Sequence, residues 1–213
     1  MNYFLSRPNW QLAIISGTFV GISYLPLQLG FLVYIGFIPL FHSWFNCRSK
    51  DNFKSGYIFG LIYNLISNYW IGFNSGADFS VVLISLIFAV LYLAVFWGIA
   101  GAIIGILRED VNLYIIVPLI IVSLEWIRSF GPLGFAWGNL ALTQMEYLTL
   151  LQNIDIIGTY GLAFLIISVN LILYSILYTR INIIKLSLLI LIIFIGLFIS
   201  GQGKIKLFLA SSD

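Results

Sequence analysis

The sequence predicts an all-α fold: a polytopic membrane bundle of about seven transmembrane helices, with a re-entrant or interfacial segment near residues 131–155. Three observations predict it. Of the 213 residues, 61% are hydrophobic and only 8% are charged, whereas a soluble domain carries roughly 25% charged residues. Mean hydropathy is +1.05, so the apolar excess is spread along the chain. Finally, the apolar residues fall into runs near the length of about 20 that a hydrocarbon core of about 30 Å demands.

The first run extends from Trp10 to Leu25, where Pro26 ends it. The polar stretch before it, Met1 to Trp10, leads into the run with no small-residue cleavage pattern and reads as the start of a retained helix. The second run spans Leu29 to Phe45 and contains Gly36 and Pro39. A charged stretch from Arg48 to Lys54 follows. The third run, Phe53 to Phe73, is rich in Gly, Asn, Tyr and Trp, and Gly56 and Gly60 form a small-xxx-small pair suited to close helix packing. The fourth, Phe79 to Leu107, is long enough to tilt and is closed by Arg108, Glu109 and Asp110. The fifth runs from Leu113 to Phe130. Gly131 to Asp155 mixes Gly, Pro, Trp, Asn, Gln and Glu with apolar residues, too irregular for a span and too apolar for a free loop. The sixth and seventh spans are Ile157 to Tyr178 and Ile183 to Ser200. Residues 1–203 thus read as one transmembrane domain, and 204–213 as a short tail.

Lysine and arginine set the orientation. With a cytoplasmic N-terminus the inner side holds Arg7, Arg48, Lys50, Lys54, Arg108, Arg180 and Lys185, and the outer side Arg128, Lys204 and Lys206. A net charge of +2 argues against nucleic acid as a partner. One cysteine excludes a disulfide within the chain. No Walker loop, zinc motif or dinucleotide fingerprint is present, so neither metal nor cofactor is expected.

The densest chemical constellation is Glu125 and Arg128, an acid and a base three residues apart on one helix face. Charge at mid-membrane costs about 2.5–3.5 kcal/mol, so both are expected to face protein or the outer interface. Two readings stay open: Arg128 holds a phospholipid phosphate while Glu125 orients it, or the two form an internal ion pair that fixes packing. Trp137 lies in the glycine-rich stretch Gly131 to Asn139, as a portal residue or an ordinary interfacial tryptophan. Gln144 and Glu146 follow, as binding groups or as a solvated face. Tyr63, Asn64 and Asn68 are explained by packing between helices. Cys47 and His42 lack an orienting carboxylate and read as structural.

The run from Glu125 to Ile166, EWIRSFGPLGFAWGNLALTQMEYLTLLQNIDIIGTYGLAFLI, resembles the membrane portion of the apolipoprotein N-acyltransferase family. The resemblance rests on Glu125, Trp126 and Arg128, then Gly134, Phe135, Ala136 and Trp137, then Gln144, Gly158 and Gly161. Weaker support comes from Pro26, Pro39 and Leu40, and from Gly56, Gly60, Trp70 and Ile71. Ala136 stands where the family has proline, and Leu142 where a tyrosine is often found. The resemblance implies acyl transfer from a phospholipid to the N-terminal cysteine of a lipoprotein, at the outer face of a bacterial inner membrane. It also implies a nitrilase-like domain, carrying a Glu–Lys–Cys triad, after the seventh span. Here the tail Lys204 to Leu209 looks like the first strand of such a domain and the remainder has no counterpart.

The expectation is therefore the membrane part of such an enzyme, inactive by itself. It would hold phospholipid through Glu125, Arg128, Trp137 and Gln144, and would pair with a separate nitrilase-like catalytic subunit and a lipoprotein substrate. A non-catalytic lipid-binding subunit or a small transporter is the alternative.

Overall fold

The computed structural model describes residues 7–107, 112–178 and 184–212. Every regular element among them is helical. A helix satisfies its own backbone hydrogen bonds, which is what hydrocarbon surroundings require. The elements are α1 (Asn9–Ile22), α2 (Val33–Gly36), α3 (Ile38–Asn46), α4 (Ser49–Ser67), α5 (Phe79–Leu107), α6 (Leu113–Ile127), α7 (Leu148–Leu151), α8 (Ile154–Tyr178) and α9 (Ile184–Ser212). Short 3-10 turns occupy Gly30–Leu32, Tyr69–Phe73 and Leu140–Gln144. Three helices are long and apolar enough to cross a membrane alone: Phe79–Leu107, Ile154–Tyr178 and Ile184–Ala210.

Contacts at the helix ends show that successive passes alternate in direction. The Asn9 side chain at the start of α1 donates to Cys47 Sγ, just past α3, at 3.0 Å. Ser49 at the start of α4 donates to the Ala102 carbonyl late in α5, at 2.8 Å. Tyr114 in the first turn of α6 meets Ser175 near the end of α8, at 2.6 Å. Residues 22–32, 67–79 and 128–155 therefore gather at the opposite end from Cys47. Arg108, Glu109, Asp110 and Arg180 lie outside the described residues.

The second pass, expected as one run, is broken at Phe37. Pro39 sits in the first turn of α3, where its missing N–H is not needed. The break frees the Phe37 amide and the Val33 carbonyl. Asn170 of α8 takes up both: its Oδ1 accepts from Phe37 at 3.0 Å, and its Nδ2 donates to Val33 at 2.8 Å. Asn170 is fully buried, so an apolar bundle here carries one amide that completes another pass.

The core is aromatic. Phe37, Phe41, Phe59, Tyr63 and Trp97 pack together, with Phe59 and Trp97 edge to face at 4.8 Å between centroids. Gly56 and Gly60 let α4 lie directly on α5, as their spacing predicts. A Cβ on Gly60 would sit 2.7 Å from Ala94 Cα, and one on Gly56 would press on the Trp97 carbonyl.

Residues 131–155 are irregular, as expected, yet their middle is inside the bundle: Leu140 and Ala141 are fully buried. The tail departs from expectation. Lys204 to Leu209 is not a strand but continues α9 without interruption. A lone strand leaves its N–H and C=O groups unpaired, whereas extending a helix adds one bond per residue. The tail is tied to the preceding segment by Lys204, whose Nζ donates to Asp155 at 2.6 Å and to the Gln152 carbonyl at 2.9 Å.

Candidate functional site

Glu125 lies in the last turn of α6, and Arg128 is that helix's C-cap. Their spacing brings Arg128 Nη2 to 3.6 Å from Glu125 Oε1, with both side chains almost wholly buried, 2% exposed for Arg128 and 3% for Glu125. The carboxylate reaches into the irregular segment. Its Oε1 accepts from the Leu140 amide and its Oε2 from the Asn139 side chain, each at 3.2 Å. Asn139 in turn caps the Leu140–Gln144 turn by accepting from the Ala141 amide at 2.9 Å. Arg128 Nη2 donates to the Gly138 carbonyl. The pair therefore clasps residues 138–140 to the end of α6.

Two tyrosines join this clasp. Tyr63 Oη of α4 donates to the Gly138 carbonyl at 2.7 Å. Tyr24 Oη lies 2.9 Å from Tyr63 Oη and 3.2 Å from the same carbonyl. The cavity beside the guanidinium, walled by Trp97, Ala100, Ile121 and Leu124, measures about 10 Å³. That is about the size of one water and too small for a phosphate. The geometry places Glu125 and Arg128 together inside the bundle, with Arg128 Nε and Nη1 making no hydrogen bond there among the described residues.

Gln144 is also buried, at 1% exposure. Its Nε2 donates to the Gly30 carbonyl at 3.1 Å, and its Oε1 accepts from Tyr34 Oη at 3.2 Å. It pins the far end of the segment to the loop between α1 and α2. Tyr147 adds a bond to the Gln28 carbonyl at 2.9 Å, and Gln28 holds the positive φ of 56° that this loop requires. Trp137 is different: it is 66% exposed and meets Trp70 edge to face at 6.0 Å. The structure thus joins Glu125 and Arg128, sets Gln144 elsewhere on the same segment, and leaves Trp137 at the surface.

Trp137 lines a cleft of mixed polarity, about 300 Å³, with Ser23, Ser67, Asn68, Trp70, Thr143 and Glu146 among its walls. Beside it runs an apolar groove of about 950 Å³, walled by Leu65, Ile66, Phe73, Phe79, Leu83 and Leu86. The two share Leu25, Pro26 and Tyr69. Sequence reasoning missed this groove, whose walls are ordinary apolar residues from three separated stretches. It also missed the tyrosine hydroxyls. The one available signal was that Tyr63 shares a helix with Gly56 and Gly60, and that Asn68 caps its end. Cys47 and His42 lie at the other end of the bundle, with His42 Nδ1 3.5 Å from Tyr174 Oη.

The profile of the apolipoprotein N-acyltransferase N-terminal domain matches residues 16–172, which contain the clasp, the cleft and the groove. An apolipoprotein N-acyltransferase of Geobacter metallireducens is 32% identical over 182 residues, covering 81% of this chain and 34% of the relative. Apolipoprotein N-acyltransferase 1 of Treponema denticola is 26% identical over 165 residues, covering 75% of this chain and 29% of the relative. The chain spans about a third of the length of these curated relatives. On the match to its bundle and to the segment that bundle holds, the chain belongs to the apolipoprotein N-acyltransferase family.

Proposed function

We propose that this chain forms the lipid-handling membrane part of an apolipoprotein N-acyltransferase, admitting a phospholipid from the bilayer and holding it at the outer face of a bacterial inner membrane. The observation that carries this is that the apolar groove and the more polar cleft adjoin, sharing Leu25, Pro26 and Tyr69 in their walls. An acyl chain suits the groove, whose walls are apolar. A headgroup suits the cleft, with its hydroxyls, the Asn68 amide and the Trp70–Trp137 pair.

Trp137 stands at the mouth as a direct contact. Glu125, Arg128 and Gln144 serve the lipid indirectly, by holding the segment that carries Trp137. The acyl transfer itself, to a lipoprotein, belongs on this reading to a nitrilase-like partner unit on the same side as Gly131 to Asp155, and the chain alone is inactive. The excess of lysine and arginine at the Cys47 end supports a cytoplasmic N-terminus.

Native mass spectrometry of the chain released from nanodiscs tests the reading. Wild-type protein is expected to retain phospholipid after detergent exchange, and Leu65→Trp with Leu83→Trp, which fill the groove, to lose most of it. Equal retention by filled and wild-type protein would overturn the assignment.

A further inference from the structure

Trp137 is an exposed side chain whose neighbour, Gly138, is buried, so the chain turns inward at this peptide. Two anchors bracket it, and both involve Arg128. The Phe135 amide donates to the Arg128 carbonyl at 2.8 Å, and the Arg128 side chain donates to the Gly138 carbonyl. That carbonyl offers two lone pairs. Arg128 occupies one, and the Tyr63 hydroxyl, at 2.7 Å, occupies the other. Each phenol has a single proton to give. Two arrangements satisfy both hydroxyls, and the shorter approach to the carbonyl, 2.7 Å from Tyr63 against 3.2 Å from Tyr24, selects Tyr63 donating to Gly138 and Tyr24 donating to Tyr63 across their 2.9 Å separation. The site is tightly enclosed: a Cβ on Gly138 would lie 2.9 Å from Arg128 Nη2 and 3.1 Å from Tyr63 Oη.

We propose that Tyr63, supported by Tyr24, is a positioning residue of the cleft: with Arg128 it fixes the Gly138 carbonyl and so sets Trp137 against Trp70. Helix α4 and the end of α6 thereby meet on one oxygen atom, and the turn after α1 reaches it through the Tyr63 hydroxyl. The Tyr63 ring is held independently, stacked on Phe59 and edge to face with Trp97 at 5.7 Å, so its hydroxyl arrives pre-aimed. The consequence for function rests on the lipid-holding reading above, while the positioning itself does not.

The relay order makes the effects unequal. Tyr63→Phe removes both links, Tyr24→Phe only the outer one, and the double variant nothing further. The test uses the full chain, labelled with 5-fluorotryptophan, in nanodiscs. The Trp137 resonance is identified by its loss in Trp137→Phe. Tyr63→Phe is expected to shift and broaden that resonance, Tyr24→Phe to shift it less, and the double variant to match Tyr63→Phe. Trp10 and Trp44 should stay in place as reporters of folding. An unmoved Trp137 resonance in Tyr63→Phe, or equal single effects that add in the double variant, overturns the proposal. If Tyr63→Phe disperses the Trp10 and Trp44 signals as well, Tyr24→Phe decides alone: a shift at Trp137 supports the relay and no shift refutes it. Phospholipid retention, read in parallel, should fall about fivefold in Tyr63→Phe, the weight of one hydrogen bond. Loss of retention in the wild type would instead defeat the lipid-holding reading, leaving the fluorine result to judge the relay.

Discussion

At the scale of single residues, the energetics of the clasp are set by burial. Glu125 and Arg128 are far from water, so each makes the other tolerable. Removing one partner leaves an unpaired charge inside, which costs about 3–5 kcal/mol. Glu125→Leu and Arg128→Met are each expected to lower stability by about that amount. The double variant should lose less than either single one, because no charge then remains. Thermal unfolding of the three variants in one detergent checks this, and a double variant that loses the sum of both would show that the two side chains act separately. Glu125 and Arg128 were legible in the sequence because ionisable groups at such depth are rare and their spacing places them on one face. Their common target was not. Gly138 and Leu140 reach them through a loop whose path no periodicity describes, and Tyr24 arrives from more than a hundred residues away.

At the scale of elements, hydropathy located the passes well, and the fourth begins where its apolar run does. Two features escaped it. Hydropathy does not register backbone continuity, so the second pass looked whole although Pro39 marked where a helix restarts. The tail Lys204 to Leu209 partly alternates in polarity, the strand period, but the backbone bonds available to it are those of the helix it extends. The amide that repairs the second pass also escaped, since an isolated asparagine within an apolar run has many uses. Asn170→Leu keeps the volume and removes the repair. It strands the Phe37 amide and the Val33 carbonyl, at about 1–3 kcal/mol for each buried group. A loss of about 2–4 kcal/mol is expected. Hydrogen exchange should show that the loss centres on residues 33–41 of the second pass as well as on α8. A uniform loss across the bundle would mean that Asn170 does not complete that pass.

At the scale of the whole molecule, the two ends differ in kind. One end gathers Arg48, Lys50 and Lys54, exposed beside the start of α4. The other gathers the clasp, the cleft, the mouth of the groove and exposed aromatic side chains such as Trp70, Phe73, Phe79 and Trp137. Basic residues are retained on the cytoplasmic side, and tryptophan favours the headgroup level. The basic residues therefore support the proposed orientation, with the cleft outward, where acyl transfer to an exported lipoprotein would need it. Cysteine labelling decides the matter in a Cys47→Ser background, because Cys47 is the chain's single cysteine. Ser75 lies in the exposed turn before α5, and Lys54 is exposed at the opposite end. Ser75→Cys should react with a membrane-impermeant maleimide in intact spheroplasts, and Lys54→Cys only in inverted vesicles. The reverse pattern would turn the cleft toward the cytoplasm, and a phospholipid held there could not reach a catalytic unit on the outer face.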